Sequence, residues 1–182
     1  MAERANPLLV FGLLAAVGVF LMARTKTGQS ITQAAIDTAA SAVDSATRAM
    51  FPRGIRNNNP GNIERTGVAW VGMAADQSSD DRFIVFTAPE YGVRAMARIL
   101  KNYMASGYTN VASIINRWAP PTENVTSAYV AAVARKIGVD PNARIDASYI
   151  PDLIEAIIQH ENGEQPYPPD LIARGVDMER TA

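Results

Sequence analysis

Four segments between Thr87 and Glu161 carry apolar residues at helical spacing, and each is closed by glycine, a proline pair or a turn. A recurrence of three and four restricts this half of the chain to packed amphipathic helices. Thr87 is expected to cap the first, with Pro89 and Glu90 in its first turn. That helix turns Val93, Met96, Ile99, Leu100 and Tyr103 inward and stops at Gly107. Thr109 caps a shorter second helix through Val111, Ile114, Ile115 and Trp118, ended by Pro120-Pro121. A third runs from about Val125 to Ile137, with Tyr129, Val130 and Val133 on one face and Gly138 as its stop. The fourth follows Ser148, takes Pro151 into its first turn, buries Leu153, Ile154, Ile157 and Ile158, and ends near Glu161. A short turn over 169–174 and a polar tail finish the chain.

The stretch before these helices has another character. Residues 53–63, Arg-Gly-Ile-Arg-Asn-Asn-Asn-Pro-Gly-Asn-Ile, are dense in turn formers. Extended pieces are expected at 63–65, 69–71 and 82–86, the last being the best strand pattern in the chain. Between them lies the polar loop Asp76-Gln77-Ser78-Ser79-Asp80-Asp81. Residues 53–87 therefore read as a small irregular β lobe. The fold class expected is α+β, mainly helical.

Pro7 to Ala23 holds seventeen residues without a charge. As a helix it would be roughly 25 Å long, near the lower limit for a membrane span. An uncleaved single-pass anchor over 1–26, contacting the bilayer through 7–23, is the first expectation. A signal peptide has the same layout, but no clear small-x-small cleavage site follows. Ala-, Ser- and Thr-rich residues 27–52 read as a helical stalk or a low-complexity linker, closed by Phe51-Pro52.

Composition narrows the chemistry. The chain has no cysteine and one histidine, so a metal site is not expected. No cofactor is expected either. The net charge of −1 gives no electrostatic case for a nucleic-acid partner. Catalysis would rest on carboxylates, hydroxyls, amides and Arg or Lys.

Glu161 is the leading candidate. It ends an amphipathic helix just before Asn162-Gly163. A general acid must hold its proton near neutral pH, which an apolar setting promotes. Ile157, Ile158 and the nearby Tyr167 would supply that setting. The bland alternative is a solvated helix end. A second carboxylate could come from Glu64 or from Asp76, Asp80 and Asp81, although such loop residues also serve turns. Asn57, Asn58, Asn59 and Asn62 offer paired donors and acceptors suited to N-acetyl sugars, or simply tolerate left-handed backbone angles. Trp70, Trp118, Tyr129 and Tyr167 could stack on sugar rings. Core packing is the default for Trp118 and Tyr129, and an exposed platform for Trp70.

The run Ile157-Ile158-Gln159-His160-Glu161-Asn162-Gly163, with Pro166-Tyr167, resembles the catalytic segment of lysozyme-superfamily lytic transglycosylases, with Asn162 where Ser is usual. Asn58-Asn59-Pro60-Gly61-Asn62-Ile63, Trp70-Val71-Gly72 and Arg82-Phe83-Ile84-Val85-Phe86 resemble the β lobe of autolysin-type glucosaminidases. In those enzymes the lobe follows the Glu, whereas here it precedes it. The resemblance thus implies a circularly permuted lysozyme-like domain over 53–167, with 168–182 as a tail. The pattern through Trp118-Ala119-Pro120-Pro121-Thr122-Glu123-Asn124 also resembles bacteriophage and prophage virion structural proteins.

These resemblances imply Glu161 as general acid, Tyr129 lining the cleft beside it, and Asn57 to Asn59 along the groove. Asp81 and Glu64 are the second-carboxylate candidates. The expected function is a membrane-anchored, virion-associated enzyme that cleaves peptidoglycan glycan strands and opens the cell wall locally. It would sit in a virion or bacterial inner membrane, with other virion proteins as partners. The alternative is a non-catalytic structural protein with a glycan-binding domain.

Overall fold

The computed structural model describes residues 33–119 and 126–181. The chain divides into two compact units, 1–46 and 47–182. Among the described residues there are seven α-helices: α1 (Gln33–Ala49), α2 (Arg53–Arg56), α3 (Pro89–Ala105), α4 (Val111–Trp118), α5 (Thr126–Ile137), α6 (Ile150–Asn162) and α7 (Pro169–Arg180). A 3-10 turn at Ala147–Tyr149 leads into α6. What is described of the first unit is α1, whose Ile36, Ala39 and Ala42 are exposed.

The second unit is built around α3 to α7. Val93, Met96 and Leu100 of α3 meet Val111, Ile114 and Ile115 of α4, Tyr129 and Val133 of α5, and Leu153, Ile154, Ile157 and Ile158 of α6 in one core. Each such side chain, once fully buried, contributes about 1.5–3 kcal/mol. The helix ends differ from expectation in their caps. Thr87 does not cap α3; its hydroxyl donates to the Gly72 carbonyl at 3.1 Å, and Ala88 takes the N-cap position. Asn110, not Thr109, caps α4, in a reciprocal box with Ser113. Gly163 closes α6 in the left-handed region at φ 73°, which explains the sharp turn after Asn162.

Residues 169–180, expected as a turn and a tail, form α7. It packs on α3 and buries Ile172, Gly175, Val176 and Glu179. The apolar stripe is short, and a glycine completes it: a Cβ at 175 would lie 2.5 Å from Val93 Cγ1.

The α+β, lysozyme-like expectation is corrected here. Among the described residues there is no strand, only the isolated antiparallel bridges Glu64 with Phe83 and Met73 with Phe86. The cause lies in what pairs with residues 82–86. The backbone pairs of this segment are split among separate stretches, with Ile84 N–H donating to the Ile63 carbonyl, Phe86 N–H to the Asn57 carbonyl and Ala74 N–H to the Val85 carbonyl, and side chains take the groups between them. Phe83 N–H donates to Asp80 Oδ1 at 2.8 Å and Val85 N–H to Gln77 Oε1 at 2.8 Å. The Ile84 and Phe86 carbonyls accept from the Asn59 and Asn58 amides, at 2.9 and 3.0 Å. A segment whose partners change at every residue is extended without forming a ladder.

The membrane-anchored localisation is also corrected. No helix among the described residues is long and apolar enough to cross a membrane. At 17 residues and rich in Ala, Ser and Thr, α1 is both too short and too polar. The expected span, 7–23, lies outside the described residues.

Candidate active site

Glu161 stands in the last turn of α6. Its Oε1 accepts from the Tyr129 hydroxyl of α5 at 3.1 Å, and its Oε2 from Asn62 Nδ2 at 3.2 Å. Tyr129 is 3% exposed. Burial, then the adjacent Glu161 charge and the hydrogen bond to it, push its hydroxyl well above the ordinary tyrosine range. Tyr129 therefore remains a donor at any working pH. Its other face is covered by His160, whose ring stacks at 3.5 Å and 12°. A carboxyl group offers about four acceptor positions, and two are engaged here. The rest of the group borders open space.

That space is a groove of about 660 Å³. Among the described residues it is lined by Glu161, Asn62, Glu64, Trp70, Arg82, Phe83, Ile99, Tyr103, Arg117 and Trp118, with Gly61, Ile63, Thr66 and Ala119. A wall of four aromatic rings beside two carboxylates and two guanidiniums suits a ligand with apolar ring faces and many polar edges.

The turn holding Asn62 meets α6 directly. Asn162 Nδ2 donates to the Pro60 carbonyl at 2.8 Å, across 102 residues of chain. Asn62 itself adopts φ 49°. Asn62 Oδ1 and Asn162 Oδ1 are buried and have no hydrogen-bond partner among the described residues, and both converge on Gly54. A Cβ at 54 would lie 2.5 Å from Asn162 Oδ1 and 2.8 Å from Asn62 Oδ1. Only glycine lets α2 approach this seam, with its Cα–H facing both oxygens.

The remaining sequence candidates are placed unevenly. Glu64 reaches the groove but is tied to Arg82, whose Nε lies 2.9 Å from Oε1. Asp81 does not line the groove; its side chain is 96% exposed and pairs with Arg53 at 3.0 Å. Its neighbour Asp80 is buried and structural, and takes Arg53 at 2.6 Å, Asn57 Nδ2 at 2.6 Å, and the Arg82 and Phe83 N–H groups. Burial pushes its pKa up, but Arg53, the Phe83 N–H and Asn57 outweigh this and hold it well below the usual carboxylate range.

Asn57, Asn58 and Asn59 do not line the groove. Their amides bind Asp80, the Phe86 carbonyl, and the Ile63 and Ile84 carbonyls. Trp70 lines the groove half-buried, on the small cluster of Ile84, Phe86 and Ala95. Tyr167 packs against the main core with its hydroxyl buried, and burial raises its pKa to about 12. It does not line the groove.

Sequence reasoning missed Tyr103, Phe83 and Arg117, and left Trp118 between core packing, its default, and sugar stacking; it packs against the core and also lines the groove. A usable signal exists: Tyr103 and Trp118 both occupy the last turns of their helices, where an apolar stripe runs out into solvent. Arg117 sits over the Tyr103 ring at 5.6 Å and fixes that edge.

No family model matches the chain. Protein P5 of Pseudoalteromonas phage PM2 is 40% identical over 140 aligned positions, spanning 71% of this chain and 87% of that protein. With that extent of identity and coverage, the chain belongs to the family of this phage protein.

Proposed function

We propose that the chain is a component of a phage particle that cleaves the glycan strand of peptidoglycan, with Glu161 as general acid. One observation carries this reading. A single carboxyl group at the groove is gripped by a tyrosine hydroxyl and an amide, while aromatic rings line the same groove. Tyr129 and Asn62 fix its orientation, and its remaining lone pairs border the groove. A sugar stacked on Trp70 or Trp118 would bring its leaving oxygen to Glu161, which donates the proton as the glycosidic bond breaks. Among the described residues the other groove carboxylate, Glu64, is neutralised by Arg82. That favours attack on the anomeric carbon by the substrate's own hydroxyl, whose proton passes to the Glu161 carboxylate, giving an anhydro end and restoring the acid.

The test is digestion of purified murein with mass analysis of the products. Wild type should release soluble muropeptides, and Glu161→Gln should lower the rate by about 10²–10⁴-fold without unfolding the protein. A Gln variant as active as wild type removes the acid assignment. The pairing of Glu64 with Arg82 also suits a glycan-binding module without catalysis. Murein binding with no soluble product would establish that second reading instead.

A further inference from the structure

A second cavity of about 620 Å³ adjoins the groove and shares Trp70, Ile99 and Tyr103 with it. Its other walls differ in chemistry. Val68 and Val71 are exposed apolar residues at 55% and 56%, and Ala69, Asn102, Arg94 and Arg98 complete the lining. Behind it two guanidiniums share one carboxylate. Arg94 and Arg98 lie 3.4 and 3.3 Å from the two oxygens of Glu179. Arg94 and Glu179 are buried, whereas Arg98 is 49% exposed. Lys101 Nζ lies 3.3 Å from the Glu179 backbone carbonyl, so the local balance is positive.

A sugar ring would look for more amides and hydroxyls than these walls carry. Aliphatic walls beside a surplus guanidinium fit short aliphatic side chains ending in carboxylate. Peptidoglycan strands carry such a branch, the peptide stem. We propose that this cavity binds the peptide stem and that Arg98 holds one of its carboxylates; the assignment rests on the glycan reading of the groove next to it. The strand would lie past Glu161, with its branch crossing the sill of Trp70, Ile99 and Tyr103. Peptide-bearing strands would then be preferred over stripped ones.

The test uses the full chain and a synthetic stem tetrapeptide, titrated against tryptophan fluorescence, since both tryptophans, Trp70 and Trp118, line the groove. Wild type should bind the tetrapeptide and discriminate against its fully amidated counterpart. Arg98→Ala should weaken binding by about tenfold or more, and Arg98→Lys should restore part of it. Val71→Asp, at an exposed position, should weaken binding through charge repulsion without touching the Glu179 cluster. Glu161→Gln should bind as wild type does. Absence of tetrapeptide binding by wild type, or binding indifferent to Arg98 and Val71, overturns the proposal. Tetrapeptide binding through Arg98 together with undiminished murein cleavage by Glu161→Gln would leave the cavity standing and remove the catalytic reading. Cleavage that needs Glu161, with no peptide binding, would do the reverse.

Discussion

The helical body and the loop lobe of residues 53–87 are held by opposite means. In the body, aliphatic side chains from five helices share one core. In the lobe the buried apolar set shrinks to Ile84, Phe86 and Ala95 of α3, and amide and carboxylate side chains bind backbone groups directly. Apolar packing tolerates small shifts, because it has no preferred direction. Hydrogen bonds by side-chain amides are directional, so the lobe can hold Asn62 at a fixed place against Glu161 without a sheet.

The comparison breaks first, if it breaks, in the body. Ile157 is fully buried at the centre of α6. Ile157→Ala should cost about 2–5 kcal/mol, read as a fall in melting temperature shared by the whole second unit. In the lobe, Asn59 has no exposed surface, binds the Ile63 and Ile84 carbonyls, and accepts from the Ile63 N–H. Asn59→Ala strands these groups and should cost about 2–4 kcal/mol, with hydrogen exchange accelerated in 57–86 before it rises in α6. A loss below about 1 kcal/mol would mean that the three apolar residues hold the lobe and the amides do not.

How far each region could be read from sequence follows from the same contrast. Helical periodicity is local, so α3 to α6 and the stop at Gly163 were legible within a few residues of their bounds. The lobe was expected to be strands because Arg82 to Phe86 has strand composition. Two of its actual partners, Asn58 and Asn59, lie 28 and 25 residues away and bind through side chains, which no spacing rule reports. Asp80 and Asp81 make the point most sharply. They are adjacent and chemically identical, yet one side chain is 3% exposed and the other 96%. Glu161 was legible from the helix stop behind it. Its holder Asn62 sits 99 residues earlier in a turn whose four asparagines look alike in sequence, and only one of them lines the groove.

Acid sharpens the contrast, since in the lobe an ionised carboxylate binds backbone N–H groups, whereas the core cluster of the body is apolar. Asp80 titrates below its unfolded value of about 3.9, so the stability it contributes is present above about pH 4 and is lost as pH falls through the folded value. Asp80→Asn should destabilise by about 1–3 kcal/mol at neutral pH, and its gap from wild type should narrow below about pH 4. Denaturant titrations at several pH values read this. Asp81→Asn, at an exposed carboxylate, should show almost no gap at any pH. A gap for Asp80→Asn that is constant with pH would place its role in shape rather than charge.

The smallest expected change in stability tests the place where the two regions meet. Glu161 takes one hydrogen bond from each side: Tyr129 from the body and Asn62 from the lobe. Tyr129→Phe keeps the buried ring and the stack on His160, and removes only the hydroxyl. The melting temperature should therefore move little. A neutral hydrogen bond is worth about 0.5–1.5 kcal/mol, so on the proposed glycan-cleaving reading murein turnover should fall by about two- to tenfold if orientation of Glu161 limits proton transfer. Asn62→Ala should lower turnover similarly. The double variant decides between two pictures. Losses that multiply mean that each donor acts on Glu161 independently. A double variant no worse than either single means that the carboxyl group is oriented only when gripped from both sides, and that the lobe's directional bonds exist to complete that grip.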